Sequence, residues 1–318
     1  MRGKTSAERL QSRRHTKERM SWRTPQDAVV LYSAFGTAAS AIAEGRVIDY
    51  QDRGVASVTD RKLVNLRRNL GMLINDERAN VPVRLTLRNH EWHAVSDAEG
   101  YFRVEIRNLA TLPPGWHRFR GEAGDATDEA NLLLVPPENT HGVISDVDDT
   151  LLITEVGSKR RMLFNTLLHN PLQRRVVEGI AAAYRQLAHV NPFPAAAPFF
   201  YLSATPRQLH LPLQAVLEHN QLPRGVLITK RVTGDSTSEP WRDQFAYKTR
   251  KIEFLLDRLP HVNFTLIGDD AESDPEIFAA IRVRHPARIA ATWIRRVNRD
   301  PTRARLEGQG DLIDLLRR

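Results

Sequence analysis

Three short strings hold most of the chemistry this sequence can do. The first, Asp146-Val147-Asp148-Asp149-Thr150, closes a short apolar run that begins at Val143. Asp146 and Asp148 stand two residues apart at the end of a predicted strand. Beyond a strand's end side chains need not alternate faces, so both carboxylates can reach one cavity. Two close carboxylates repel unless a cation lies between them or one takes up a proton. A hard, oxygen-binding ion such as Mg²⁺ suits the pair; an acidic turn is the plain alternative. The second string is Leu202-Ser203-Ala204-Thr205-Pro206. Ser203 ends a buried run, Thr205 is a fair helix N-cap, and Pro206 fits the first helical position. A hydroxyl beside a helix N-terminus cradles phosphate, although capping alone accounts for Thr205. The third string, Gly268-Asp269-Asp270-Ala271-Glu272-Ser273-Asp274-Pro275, closes another apolar run.

The elements around these strings decide whether they can meet. From residue 141 onward strands and helices alternate. Apolar runs at Val143 to Asp146, Phe199 to Leu202, Val226 to Ile228, Phe264 to Ile267 and Ile289 to Ile294 are separated by helical patterns. The clearest is Tyr247 to Leu259, with Ile252, Leu255, Leu256 and Leu259 on one side. This βαβα order implies a parallel sheet with helices on both faces. Such sheets bind ligands at the carboxyl ends of their strands, which is where all three strings fall.

The preceding stretch, about 28–137, reads as short strands with turns between them. Val81 to Arg88 alternates cleanly, and Asp97 to Gly100 and Pro113-Pro114-Gly115 are turns. Gly45 stands as a break between two strands, and Leu63, Leu66 and Leu70 mark a helix over Asp60 to Met72. The expectation is an all-β sandwich with a helical insertion.

The 318 residues carry a formal net charge of +8 and no cysteine, which excludes disulfides, thiolate metal sites and a cysteine nucleophile. No signal-peptide core and no membrane-length apolar run is present. The reading is a cytoplasmic protein. The positive excess sits largely at the ends. Residues 1–24 hold eight Lys/Arg against two Glu, and 282–318 hold ten Arg against four acidic residues. These ends read as a basic amino-terminal segment (1–27) and a basic tail (300–318), either solvated or in peripheral contact with anionic membrane. No zinc spacing or RNA-binding signature accompanies them, so no specific nucleic-acid partner is expected. The oligomeric state is not legible.

The strings also carry a resemblance. DVDDT fits the DxDxT signature of haloacid-dehalogenase-type phosphatases, Ser203 fits that family's phosphate-binding second motif, and Gly268 to Asp274 fits its acidic GDxxxxD motif. HGVISDVDDTLL, FFYLSATP, LPRGVLITK and FTLIGDDAESDPEIF, with LYSAFGTAASAIAEGRVIDY upstream, resemble the actin-patch-type phosphatidate phosphatase family over about residues 28–297. The resemblance implies an α/β fold: a HAD-like Rossmannoid parallel sheet over 138–299, preceded by the β-sandwich. It implies a Mg²⁺-dependent phosphatase acting on phosphatidate or a related lipid phosphate. Asp146 would be the nucleophile, forming an aspartyl-phosphate, and Asp148 the general acid/base. Ser203 and Thr150 would serve the phosphate. Asp146, Asp148 (by its carbonyl) and Asp269 would hold the metal, with Asp270 and Asp274 as further acidic candidates. Asp274 is divided between a water-mediated metal contact and capping of the helix at Pro275. The family also supplies a lysine. Lys248 matches best, with Lys251 and Lys230 as competitors. Soluble or nucleic-acid phosphomonoesters, and an inactive metal-holding adaptor, are the rival readings. Met162, Leu163, Phe164, Leu167 and Leu168 form an insert that either meets acyl chains or packs in a helical core.

Overall fold

The computed structural model describes residues 27–49, 77–152, 174–232 and 243–298, and of 299–318 all but 299, 301, 304 and 318. The helix expected over Asp60 to Met72, the insert around Arg160 to Asn170 and residues 1–26 of the basic segment lie outside the described residues.

Strands β1 (Asp27–Leu31), β2 (Ala34–Gly36), β3 (Ser40–Asp49), β4 (Pro82–Leu87), β5 (His90–Val95), β6 (Tyr101–Arg107), β7 (Gly115–Ala123) and β8 (Ala126–Leu134) build one sheet. Their order is β1-β3-β2-β8-β7-β4-β5, with β6 on β3, and neighbours are antiparallel except the β2–β8 pair. The alternation in β4 does what its period requires, burying Val83, Leu85 and Leu87 on one face. Two features depart from the sequence reading. Gly45 does not break a strand, because β3 runs straight through it. The Phe102 ring packs where a Cβ would stand, so this glycine serves close approach and not a turn. Strand β5 went unread because it lies at the sheet edge and alternates between half-buried and exposed, leaving no apolar stripe.

The second layer contains β9 (His141–Asp146), α1 (Ile180–His189), β10 (Phe199–Pro206), α2 (His210–His219), β11 (Val226–Lys230), α3 (Gln244–Arg258), β12 (Asn263–Asp269), α4 (Asp274–Arg284), β13 (Ile289–Arg295), β14 (Gly310–Asp311) and α5 (Leu312–Leu316). Its sheet has the order β11-β10-β9-β12-β13-β14, and every pair is parallel. Counted from β9 this is 3-2-1-4-5-6, a doubly wound order that reverses at β9 and opens a crevice at the strand carboxyl ends between β9 and β12. Successive residues serve opposite faces. Ile144, Phe200, Leu202 and Leu266 join the core with α3 and α4, while Val143, Phe199, Tyr201 and Ile267 join the core with α1, α2 and α5. Residues expected as a basic tail belong in part to this layer. Gly310 and Asp311 pair with Trp293 and Ile294 of β13, and Leu312 and Leu315 are buried against the same core. The spacing of two leucines with one face inward outweighs the flanking arginines.

The layers touch through packed side chains. Phe35 meets Phe200 edge-on at 4.9 Å between ring centres, and Trp116 Nε1 donates to the Ala195 carbonyl at 3.0 Å. No helix among the described residues is long and apolar enough to cross a membrane.

Gly142 in β9 faces a tightly filled site, where an added Cβ would lie 2.5 Å from the Phe264 ring and 2.9 Å from Val262. Overpacking of this kind costs about 1–3 kcal/mol. Gly142→Val is expected to lower the urea midpoint with an unaltered slope; an unchanged midpoint would contradict the packing described.

Candidate active site

Five elements deliver side chains to the crevice. Asp146 closes β9 and Asp269 closes β12, so the two carboxylates flank the point where the strand order reverses. Lys248 comes from the first turns of α3 and Asp274 from the first residue of α4. Lys248 Nζ lies 2.8 Å from Asp146 Oδ1 and also donates to Asp274 Oδ1. All three groups are at least 95% buried. Thr150 Oγ1 donates to Asp269 Oδ2 at 2.8 Å, and the Ala271 amide holds Asp269 Oδ1 at 2.9 Å. Gly268 makes room for Asp274, whose Oδ2 would stand 2.5 Å from a Cβ at that position.

Asp148 turns to different neighbours. Its Oδ2 accepts from Ser203 Oγ at 2.7 Å and from Thr205 Oγ1 at 3.3 Å. The turn after β9 is tight, with Asp149 in the left-handed region at φ 38°. A short polar side chain tolerates that conformation better than most. Arg295, at the carboxyl end of β13, ties the turn down by donating to the carbonyls of Asp149 (2.6 Å) and Leu152 (2.9 Å). Tyr247 donates to the Ser203 carbonyl at 3.1 Å.

Several sequence expectations are corrected by this geometry. Thr205 and Pro206 do not open a helix; both stay in β10, and a 3-10 turn at Arg207–Leu209 follows before α2 begins. A buried carboxylate needs donors more than a helix end near solvent needs a cap, so the Thr205 hydroxyl goes to Asp148. Asp270 stands outside the acidic cluster. Its Oδ1 accepts from the amides of Val297 (2.6 Å) and Asn298 (2.7 Å) and shapes the turn after β13. Asp274 does not cap α4, whose N-cap is Ser273 without a side-chain bond; it is spent on Lys248. Of the three lysines, Lys248 is the one shown on Asp146. Lys230 and Lys251 lie over the Tyr247 ring, at 4.9 and 5.6 Å from its centre. The carboxylate of Asp148 is not part of the Asp146, Asp269, Asp274 group. Thr205, Arg295 and Tyr247 were not anticipated; Arg295 was findable as an arginine at the end of a parallel strand.

Charge in the pocket is unbalanced. Burial pushes the Asp146 carboxyl well above the ordinary carboxylate range; Lys248 opposes this, and Asp274 and Asp269 reinforce it. Burial likewise lifts Asp269 from 3.8 to about 7, with Asp274 adding repulsion. Burial disfavours the Lys248 ammonium, but Asp146, Asp274 and Asp269 outweigh that and hold it charged well above the usual lysine value. Burial also raises Asp149 to about 6, helped by Asp148. The half-buried Arg174 guanidinium is pushed down to about 10 by burial, with Asp148 pulling the other way.

The residues present fit a hard divalent cation. One oxygen from each of Asp146, Asp269 and Asp274 lies within 4.8 Å of the others. Asp274 Oδ2 is buried without a hydrogen-bond partner. An all-oxygen donor set of this kind suits Mg²⁺-like ions.

A doubly wound parallel sheet with carboxylates, hydroxyls and a buried lysine at its switch point defines an α/β enzyme centre able to hold a cation and an anion together. Residues 141–296 match the family model described as the catalytic domain of phosphatidate phosphatase APP1. It is 31% identical over 154 residues to phosphatidate phosphatase APP1 of Saccharomyces cerevisiae, covering 48% of this chain and 25% of that protein. An uncharacterized protein of Schizosaccharomyces pombe is 27% identical over 257 residues, covering 76% of this chain and 41% of its own length. The chain thus spans well under two thirds of these relatives. A carbohydrate acetylesterase from Xanthomonas citri aligns over 86% of this chain and 68% of its own at 7% identity and a TM-score of 0.30, too low to identify the fold.

Two outcomes follow from the charge imbalance. An acid whose folded value is raised favours the folded state at low pH, and that contribution disappears as pH rises through the folded value. Relative to Asp269→Asn, the metal-free wild-type chain should therefore lose stability between about pH 4 and pH 7, and Mg²⁺ should restore it at pH 8. A flat difference in the unfolding midpoints over that range would refute the placement of Asp269. Removing the lysine strands two buried carboxylates, so Lys248→Met should cost about 3–5 kcal/mol in metal-free denaturant unfolding.

Proposed function

We propose that the chain is a phosphoric monoester hydrolase that acts on phosphatidate or a related lipid phosphate, with Mg²⁺ as its cation. The proposed fold is a haloacid-dehalogenase-type catalytic layer preceded by a β-sandwich, with the boundary near residue 138. The convergence of Asp146, Asp148, Ser203, Lys248 and Asp269 at one crevice, inside the segment that matches the phosphatidate phosphatase APP1 catalytic-domain family model, carries this reading.

Asp146, Asp269 and Asp274 would hold the cation, which when bound offsets the repulsion between a carboxylate nucleophile and a phosphoryl dianion. Lys248, already on Asp146, adds a fixed positive charge beside the attacked phosphorus. In the proposed reaction an Asp146 oxygen attacks phosphorus in line, the phosphorus–alkoxide bond breaks, and Asp148 gives its proton to the departing oxygen. Water then attacks the aspartyl-phosphate, Asp148 takes back a proton, and inorganic phosphate leaves. Ser203 and Thr205 fix Asp148 through Oδ2, which leaves Oδ1 to carry the proton. Thr150, which donates to Asp269, would steady it and the turn, and Ser203 would also meet the phosphoryl group. The basic residues at the chain ends would favour an anionic membrane surface.

Phosphate release from phosphatidate vesicles, compared with soluble phosphate esters, tests the proposal. Release should require Mg²⁺ and favour the vesicles. Asp146→Asn should reduce it at least about 10³-fold while the unfolding transition is kept. Undiminished turnover in that variant, or full activity in excess chelator, would end the proposal.

A further inference from the structure

A second cavity, of about 410 Å³, lies between the two layers, and none of the acidic residues of the crevice lines it. Its charged lining is Arg103 from the first sheet and Arg207, Arg250 and Lys251 from the second layer, against one carboxylate, Glu44. Arg207 Nη2 lies 3.0 Å from Glu44 Oε2 and Arg103 Nη1 lies 3.8 Å from Glu44 Oε1. Burial works against the Glu44 charge, but Arg207, Lys251 and Arg103 together hold its carboxyl below the ordinary value. Among the described lining residues, Arg103, Arg207 and Arg250 by themselves outnumber the one carboxylate. The surplus faces a space with partly enclosing, low-dielectric walls, where it acts on an anion more strongly than it would at an open surface.

A further group on the wall points the same way. His210 is 2% exposed, lines the cavity, and its Nε2 has no hydrogen-bond partner. Burial and the nearby Arg207 push the ring down to about 3, against the Gln214 side chain and Glu44, which raise it, so it is neutral. Nδ1 faces Thr229 Oγ1 at 3.4 Å. In the tautomer where Nδ1 accepts from that hydroxyl, Nε2 carries a hydrogen available to an acceptor. A buried donor without a partner is costly unless a ligand or water completes it. Arg207 is itself 9% exposed and lies over the Tyr32 ring at 5.1 Å. The rest of the wall is apolar, with Phe35, Phe254, Val226 and Ile228.

We propose that this cavity is a second anion site, built to take a phosphate dianion whose organic part rests on the aromatic and aliphatic wall. The site is joined to the crevice by two covalent routes. Arg207 follows directly on Pro206, the last residue of the strand that carries Ser203 and Thr205, and Lys251 sits one helical turn after Lys248 on α3. Occupancy would therefore set the position of both the hydroxyl-bearing strand end and the lysine.

The test is isothermal titration of the full chain in buffer freed of divalent cations. Without a cation the three aspartates of the crevice repel phosphate, so binding there is suppressed whether or not the chain is a phosphatase. Inorganic phosphate, glycerol 3-phosphate and monomeric dihexanoyl phosphatidate serve as probes. One phosphate per chain is expected. Arg103→Ala and Arg250→Ala, both at exposed positions, should each weaken binding about tenfold, the scale of one charge-assisted hydrogen bond. Arg118→Ala, on β7 away from the cavity, should leave it unchanged. Tighter binding of the short-chain lipid assigns the apolar wall to acyl carbon, and equal binding of all three overturns the role given to that wall. Absence of binding, or binding indifferent to Arg103 and Arg250, overturns the proposal.

Discussion

A buried ammonium stands between carboxylates at the carboxyl end of the parallel sheet. Lys248 touches Asp146 and Asp274, and Asp269 adds its charge nearby. Taking such charges out of water is expensive, and their mutual attraction offsets the cost only when geometry is tight and the remaining oxygens find donors. The neighbourhood is arranged for this. Gly268 lets Asp274 approach, Thr150 and the Ala271 amide serve Asp269, and helices on both faces keep the strand ends rigid. The lysine balances only part of the acidity. Asp274 keeps one oxygen unserved, and the cluster answers by holding protons or a cation. A scaffold gains nothing from that imbalance; a site that binds a cation depends on it.

Asp146 and Asp148 are two residues apart and yet live in unlike surroundings. Asp146 faces an ammonium and two other carboxylates, whereas Asp148 faces two hydroxyls. Paired acids divided in this way by their environment are suited to separate tasks. Asp146 is the last residue of β9 and Asp148 lies in the turn beyond it, where the strand's alternation no longer ties the two side chains to one face. Arg295 holds that turn from the far side of β12. The division proposed above, nucleophile and proton carrier, therefore rests on the partners each carboxylate meets as much as on residue type.

The strand ends were the legible part of the site. A parallel sheet places Asp146, Ser203 and Asp269 at one edge, so strings closing apolar runs could be matched to a crevice from periodicity alone. What could not be read is which of two neighbours faces inward. Asp269 and Asp270 are adjacent, and only the pleat decides that the first meets Thr150 while the second holds Val297 and Asn298. Lys248 and Lys251 lie one turn apart on α3, and helical spacing alone ranks them equally; burial against Asp146 separates them. Thr205 was misread because a local cap is visible in sequence, while a buried carboxylate 57 residues away is not. In the first sheet the clean alternation of β4 was readable, whereas β5 and the passage of β3 through Gly45 depend on an edge position and on the Phe102 ring. The strand and helix at 310–316 were hidden by the arginines around them.

The first sheet does more than adjoin the second layer. Arg207 comes one residue after β10 ends and pairs with Glu44 of β3; Arg231 comes one residue after β11 ends and pairs with Asp97 at 2.7 Å. Tyr101 lies under both guanidinium groups, at 5.7 and 4.5 Å. Each of these arginines therefore leaves the parallel sheet at its functional edge and is gripped by the neighbouring layer. Arg207 is buried, so losing Glu44 would leave a charge without compensation, which is far more costly than losing an exposed pair. The ends of two of the strands forming the crevice edge are thus positioned from outside their own sheet. A change in how the layers pack would reach Ser203 and Thr205 through three residues of backbone, without passing through the hydrophobic core.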